Sequence, residues 1–223
     1  IATDVVGVDN DFSSYDLIIL PAVFIDYPQM TQALRTAAER GAHIVITAPS
    51  GVVDSQLGAI LGGYLGSLSD LAGVRVLEHS TLTGPSQGRV YDAREKVANR
   101  ISSAVSTPAA CDWCGIDTDN EALKRTADLL GGAALDLRSG RWAEKLAPAA
   151  GLQWQILGDS SSEDGPEYVA YFDGRGGGLD LAGLPALTRR KVGRGSAWYA
   201  AADFDALTRS VLLRLWATYT RIR

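Results

Sequence analysis

A strand–helix–strand pattern near the start of the chain constrains its fold more than any other feature. Residues 17–25 form a nearly continuous apolar run interrupted by Pro21, which is typical of a strand buried on both faces of a parallel sheet. The segment between Pro28 and Gly41 predicts an amphipathic helix. Its apolar residues recur at helical spacing, at Met30, Ala33, Leu34, Ala37 and Ala38. Residues 42–47 are again strand-like, so the pattern predicts a right-handed βαβ unit.

The last forty residues contain a second clear pattern. Residues 185–192 and 196–202 are strand-like and are separated by a short glycine-containing turn, which predicts a β-hairpin. Asp203 is suited to cap a closing helix over residues 205–219. The apolar positions of that helix keep the helical period, at Leu207, Val211, Leu212, Leu215 and Trp216.

The middle of the chain has weaker periodicity. We expect strands at residues 3–8, 74–77, 133–137 and 167–172, helices at 67–71, 93–101 and 120–130, and a short amphipathic segment at 141–146. Residues 80–118 are polar and carry two prolines, and we expect a long excursion off the sheet there. No linker or internal repeat divides the chain, so residues 1–223 are predicted to form a single α/β domain.

Composition excludes several classes of function. The chain has 46% hydrophobic and 21% charged residues and a formal net charge of −5, which is the wrong sign for binding nucleic acid or anionic lipid. No apolar run approaches the roughly 20 residues that span a bilayer. Two cysteines cannot hold together a secreted disulfide scaffold, so we expect a cytoplasmic protein. Because the chain starts at Ile1 without an initiator methionine, we expect it to be a piece of a longer polypeptide.

Five residues are candidates for reactive or metal-binding groups. Cys111 and Cys114 form the only C-x-x-C motif, and it lacks the second ligand pair of a zinc site. Its position between Pro108 and Gly115 predicts a loop. We expect two unbridged, metal-free thiols, with a labile redox pair as the alternative. His43 and His79 each lie in or at the end of a strand and are expected to be structural. Ser50 follows a strand but lacks the glycines of a nucleophile elbow.

Neither the remaining acidic residues nor the glycines define a site. Asp203 and Asp205 suit the first turn of a helix better than an acid–base pair. The glycine clusters match no dinucleotide-binding or phosphate-binding loop. From residue chemistry alone we therefore assign no catalytic, cofactor-binding or metal-binding residue, and we expect no cofactor.

Five segments, in order along the chain, resemble one known family. They have the form of its apolar strand followed by proline, its strand-capping glycine and strand, its Gly-Val-Arg-Val strand, its Trp-Ala-Glu segment and its Pro-Ala-x-Thr-Arg to Ala-Trp-Tyr segment. In this chain they read DFSSYDLIILPAVF, AAERGAHIVITAPSGVVD, GYLGSLSDLAGVRVLEHSTL, RWAEKLAP and LAGLPALTRRKVGRGSAWYAAADFD. The chain is similar in these segments to the middle, trimer-forming domain of family-42 glycoside hydrolases, the β-galactosidases. Residues 84–139 are longer and less like that family.

The resemblance implies a doubly wound, mostly parallel sheet of flavodoxin-like shape, similar to class I glutamine amidotransferases without their nucleophile. It implies a homotrimer, and a parent enzyme whose separate (β/α)₈ barrel binds and hydrolyses terminal β-galactosides with two glutamates. A barrel of roughly 250 residues does not fit into this chain, so the chain alone is expected to be inactive. The small β domain that follows the closing helix in the family is also missing.

Two rival functions remain open at this point. One is an independent amidotransferase-like or thiol-dependent enzyme using Cys111 or Cys114. The other is a carbohydrate-binding module with an exposed tryptophan platform at Trp113, Trp142 or Trp154. The family domain opens with a strand that this chain lacks, so we also expect a gap between strand 3–8 and strand 17–20 that a strand from outside the chain must fill.

Overall fold

Eleven strands and three helices are found in the residues that the structure, a computed structural model, describes: 2–81, 113–116, 137–155, 165–172, 175–176, 179–181, 184–204 and 206–220. The strands are β1 (Leu17–Leu20), β2 (His43–Thr47), β3 (Val74–Thr81), β4 (Trp113–Ile116), β5 (Leu137–Pro148), β6 (Glu167–Phe172), β7 (Arg175–Gly176), β8 (Leu179–Asp180), β9 (Pro185–Val192), β10 (Gly195–Ala200) and β11 (Ala202–Phe204). The helices are α1 (Pro28–Arg40), α2 (Leu68–Ala72) and α3 (Ala206–Tyr219).

Strands β1, β2 and β10 form the parallel part of the main sheet. β2 lies between the other two, and Ile44 is in register with Ile18 on one side and Ala197 on the other. Helix α1 connects β1 to β2, and the face predicted from its spacing is the buried one. The chain leaves α1 at Gly41, whose N–H donates to Ala38 O (2.9 Å). The predicted strand–helix–strand unit is therefore present, with both strands parallel.

The rest of the main sheet is antiparallel. From β10 the strand order continues through β9, β6, β4, β5 and β11, and β3 pairs with the opposite edge of β5. β9 and β10 are separated only by Gly193 and Arg194, and such a short connection permits antiparallel pairing alone. The fold is a mixed α/β fold, and among the described strands parallel pairing is confined to three, which is less than the mostly parallel sheet expected.

The core lies between the parallel strands and the helices. Its largest fully buried side chains include Leu34 of α1, Ile44 and Ile46 of β2, and Trp198 and Tyr199 of β10. Each such side chain contributes on the order of 1.5–3 kcal/mol by leaving water. Helix α3 covers the sheet with the residues predicted to face inward whose side chains are described, Val211, Leu212, Leu215 and Trp216.

Three local expectations were wrong. Residues 3–8 form no strand, and Val5 is fully exposed; a short apolar segment without a strand neighbour gains no hydrogen bonds from extension. Residues 113–116, expected off the sheet, form β4 between β5 and β6. Residues 141–146 are part of the long strand β5, where pairing with β3 and β11 overrides their short amphipathic pattern. The predicted helices at 93–101 and 120–130 lie outside the described residues.

The position of β1 in the sheet can be compared with the gap expected between residues 3–8 and residues 17–20. In the described part of the chain β1 ends the strand order and has β2 as its strand neighbour. The segment 3–8, which was to form the far side of the gap, is not a strand. The expected slot between two strands therefore does not form, because residues 3–8 are not a strand.

Candidate functional site

A buried carboxylate, Glu144 of β5, is the centre of the most unusual polar cluster in the described structure. Its side chain is 0% exposed. Oε1 accepts hydrogen bonds from Trp142 Nε1 (2.9 Å) and Tyr64 Oη (3.2 Å), and Oε2 accepts one from Tyr199 Oη. All three donors are uncharged. We call Glu144, Trp142, Tyr64 and Tyr199 the Glu144 cluster.

Backbone pairing brings these four residues together. Trp142 and Glu144 are two residues apart in β5 and therefore lie on the same face of the strand. Glu144 N donates to Ala201 O (2.8 Å), which fixes β5 next to the end of β10, where Tyr199 is completely buried. Tyr64 comes from the segment that leads into α2. The cluster thus lies next to the carboxyl end of the parallel strand β10.

The protonation of Glu144 is governed by two opposed effects. Burial disfavours the charged carboxylate and raises its pKa to about 7, while the hydrogen bonds from Tyr199, Trp142 and Tyr64 act in the opposite direction. Burial and the neighbouring carboxylate together raise the pKa of Tyr64 and of Tyr199, so both remain neutral donors. The cluster therefore holds one titratable proton near neutral pH.

Aromatic rings connect the Glu144 cluster to the surface. The exposed His79 ring stacks on Trp142 with centroids 4.4 Å apart and an interplanar angle of 14°. Tyr64 lies against the other side of this pair, 5.5 Å from His79. His79 thus packs on Trp142 at the end of β3.

A second polar group lies at the amino ends of β2 and β10. His43 Nδ1 and Ser196 Oγ are 2.7 Å apart, and Ser196 Oγ also accepts from Trp198 Nε1 (2.8 Å). Burial, followed by the nearby Arg189, lowers the pKa of His43, so the ring is neutral. Glu167 binds Arg189 through Nη2 at 2.6 Å.

This His43–Ser196 pair resembles part of a hydrolytic triad but is built as packing. The cleft beside it has a volume of about 220 Å³, below the roughly 300–1,000 Å³ of typical ligand pockets. Ser196 is 5% exposed and its hydroxyl is engaged by both His43 and Trp198.

The other residues weighed from the sequence do not assemble into a site. Ser50 is completely buried; its hydroxyl donates to Thr47 O (2.6 Å) and accepts from Val23 N (3.0 Å), so it connects two loops. The backbone of Cys114 lies in β4, whereas Cys111 lies outside the described residues. Asp203 belongs to β11 and contacts Arg209 at 3.3 Å, and Asp205 lies outside the described residues.

The tryptophans weighed as a binding platform are dispersed. Trp142 belongs to the Glu144 cluster, Trp154 is half-buried, and only the backbone of Trp113 is described, in β4. No three His, Cys, Asp or Glu side chains within the described ranges could hold a metal ion. None of the described helices is long and apolar enough to cross a membrane.

An exposed apolar surface lies beside the Glu144 cluster. We define the uncharged face as residues 22–25 and 51–63. Its exposed large apolar side chains are Phe24, Leu57 and Leu61, which are 50%, 69% and 92% accessible. Backbone hydrogen bonds hold the two segments together: Gly51 N to Val23 O, Val52 N to Phe24 O and Asp26 N to Val53 O, each 2.8 Å. Asp54, the only charged residue in the face, accepts from the N–H groups of Gln56 and Gly58, both at 2.8 Å.

Sequence reasoning missed both the uncharged face and the role of Glu144. The sequence does contain a signal for the face. Residues 51–63 lie outside regular strands, yet Asp54 is their only charged residue. The burial of Glu144 had no local signal. Its donors Tyr64 and Tyr199 are 80 and 55 residues away in the chain.

The mixed α/β sheet thus carries the Glu144 cluster and the uncharged face near the carboxyl ends of its parallel strands. A family model described as "Beta-galactosidase trimerisation domain" matches residues 1–127. The chain belongs to this family.

Curated relatives and solved structures extend the similarity over the whole chain. The β-galactosidase BglY of Alicyclobacillus acidocaldarius is 26% identical over 216 residues, covering 96% of this chain and 24% of that protein. The β-galactosidase LacA of Lactobacillus acidophilus is 38% identical over 99 residues, which are 41% of this chain and 15% of that protein. The chain thus spans at most about a quarter of these relatives.

A solved structure shows the same fold over the full length. The β-galactosidase of Rahnella sp. R3 matches with a TM-score of 0.70 and 20% identity, covering 100% of this chain and 25% of that one. The β-galactosidase of Bacillus circulans matches with a TM-score of 0.67 and 19% identity over 97% of this chain and 24% of that one. The first expectation from the sequence, the trimer-forming domain of a family-42 enzyme, is confirmed at the level of the family.

Proposed function

We propose that this chain is the non-catalytic assembly domain of a β-galactosidase, and that it associates with copies of itself to form a homotrimer. The observation that carries the proposal is the family match over residues 1–127, in the part of the chain that contains the parallel strands β1 and β2 and the uncharged face. In this function the domain holds a separate catalytic barrel in each subunit, and the barrel binds and hydrolyses the terminal β-galactoside.

The chemistry of the Glu144 cluster supports an inactive domain. Its carboxyl group is buried and engaged by three neutral donors, so it offers no free nucleophile. The purified chain is expected not to hydrolyse a chromogenic β-galactoside. Turnover that was lost in a Glu144→Gln variant of equal stability would overturn this assignment.

The finer description of the fold is also a proposal. We take β1, α1, β2 and β10 to be the core of a doubly wound, flavodoxin-like domain of the class I glutamine-amidotransferase shape. The support is local: β1 and β2 are parallel with a helix between them, and β2 pairs in parallel with β10. A complete experimental structure that placed helices on one face only would contradict it.

A cytoplasmic location and reduced cysteines complete the proposal. The chain has only Cys111 and Cys114, too few for a disulfide scaffold. Thiol titration of the native protein, purified without oxidant or reductant, should count two free thiols that react slowly near neutral pH. Rapid reaction would instead favour the thiol-dependent enzyme, because an activated thiolate is the reactive species.

Assembly itself is tested by sedimentation velocity of the purified chain. The expected result is a reversible trimer whose population grows with concentration. A monomer at all concentrations would contradict the assembly function.

A further inference from the structure

We infer that the uncharged face, residues 22–25 and 51–63, is the surface through which one copy of this chain docks on another. This inference rests on the proposed assembly function and adds the location of the contact.

The face presents its apolar side chains on a fixed backbone. Three short segments lie side by side: residue Ile25 bridges to Val53, and Val53 bridges in turn to Ala59. Leu57 lies at the tip of the turn, where its φ of 64° is stabilised by its N–H bond to Asp54 O (3.0 Å). Because the backbone is bonded internally, its exposed leucines are held away from the core and are available to a partner.

The face is also tightly anchored from behind. Gly51 has φ 58°, and a Cβ there would lie 2.6 Å from the carbonyl of Leu65, so the two ends of the loop touch at the backbone. Tyr64, just after the face, donates to the buried Glu144. Asp26 binds both the N–H and the hydroxyl of Ser67. A surface fixed in this way loses little conformational entropy on binding.

The charge of the face favours contact with a second copy of this acidic chain. The chain carries a net charge of −5, so two copies repel each other wherever acidic surfaces meet. The one carboxylate of the face, Asp54, is already bonded to two backbone N–H groups. A neighbouring copy that docks here meets no unpaired carboxylate of the face, and depletion of charge with apolar enrichment is typical of interface centres. In a closed ring of three copies the face meets a different surface of the neighbouring copy.

The other exposed leucines lack this setting and serve as internal controls. Leu77 is 44% exposed on β3, between Arg75 and Glu78, and Leu213 is 46% exposed on α3, next to Arg214. Single exposed apolar residues among charges are ordinary features of protein surfaces.

The test measures association by sedimentation velocity and light scattering over about a hundredfold range of micromolar concentration. The double variant Leu57→Glu/Leu61→Glu should be monomeric throughout, because each interface would then bury carboxylates without partners. The matched control Leu213→Glu should associate like the wild type. Thermal melts by circular dichroism at a concentration where all proteins are monomeric verify that each variant folds.

A second double variant with smaller changes keeps the test valid if the first one misfolds. Leu57→Ala/Leu61→Ala adds no charge and should raise the dissociation constant about tenfold or more by removing apolar contact area. If the wild type forms trimers and neither double variant weakens them, the inferred surface is wrong while the assembly function stands, and the face is free for another part of a longer polypeptide. If the wild type is monomeric throughout, both the surface and the assembly function fail.

Discussion

The uncharged face and the Glu144 cluster adjoin each other near the carboxyl ends of the parallel strands, yet they are unusual in opposite ways. One places apolar side chains in water, and the other places a carboxyl group in the core. The face exposes Phe24, Leu57 and Leu61. The cluster buries a carboxylate. Tyr64 links the two, because it ends the loop of the face and donates to Glu144. The comparison indicates that the buried polar cluster serves to hold the exposed apolar loop, since a loop with few core contacts of its own needs such an anchor.

The sharpest way to break this comparison is to remove the anchor. Glu144→Ala leaves the buried hydroxyl of Tyr199 and the other two donors without their acceptor, so we expect a loss of about 3–5 kcal/mol in the free energy of unfolding. Urea denaturation measures it. The control Glu78→Ala removes an exposed carboxylate 3.8 Å from Lys145 and should cost less than about 1 kcal/mol. Equal losses in the two variants would show that the cluster is not an anchor.

The pH dependence of stability tests the protonation of the same group. The pKa of Glu144 is raised from 4.5 to about 7 in the folded protein. Between these values the folded state holds a proton that the unfolded state has released, so the contribution of Glu144 to stability is fully present below about pH 4.5 and is lost as the pH rises to about 7. The expected loss is about 3 kcal/mol.

Glu144→Gln isolates this contribution from the other carboxylates. The variant cannot titrate at position 144, so its free energy of unfolding, measured by urea at several pH values, should gain on that of the wild type as the pH rises from 5 to 8. A constant difference between the two proteins across this range would mean that the carboxylate is charged throughout.

Two glycines of the uncharged face test how tightly its backbone is held. Gly51→Ala must fit a Cβ 2.6 Å from the Leu65 carbonyl at φ 58°, and we expect a loss of about 2–3 kcal/mol. Gly62 also has a positive φ, 87°, but open space around it, so Gly62→Ala should cost about 1 kcal/mol. Thermal unfolding of both variants gives the difference. Similar losses would show that backbone conformation alone matters and that the close approach to Leu65 is unimportant.

The smallest expected effect lies at the opposite end of the parallel strands. Ser196→Ala removes the acceptor of the completely buried Trp198 Nε1 and the partner of His43, with an expected loss of about 1–2 kcal/mol. Ser210→Ala, on the exposed side of α3, should be nearly neutral because its hydroxyl only bonds the preceding helical turn at Ala206. Chemical denaturation of the pair provides the test. A neutral Ser196→Ala would mean that water replaces the lost hydroxyl.

Local pattern in the sequence determined the elements whose periodicity is strong. The spacing from Met30 to Ala38 between Pro28 and Gly41 is sufficient to define α1 and its buried face, because helical periodicity is a property of neighbouring residues. The apolar runs of β1 and β2 predict these strands for the same reason. Five ordered motifs also indicated the family.

Tertiary structure decided the features that depend on distant residues. The segment 3–8 has strand composition but no strand, because extension requires a neighbour that local sequence does not specify. Glu144 reads as a surface residue in its local context and is buried only because Tyr64 and Tyr199 meet it from 80 and 55 residues away. Hydrogen-bond partners at such separations are set by how the strands pair, and the desolvation that raises the pKa of Glu144 exists only once the chain has folded around it.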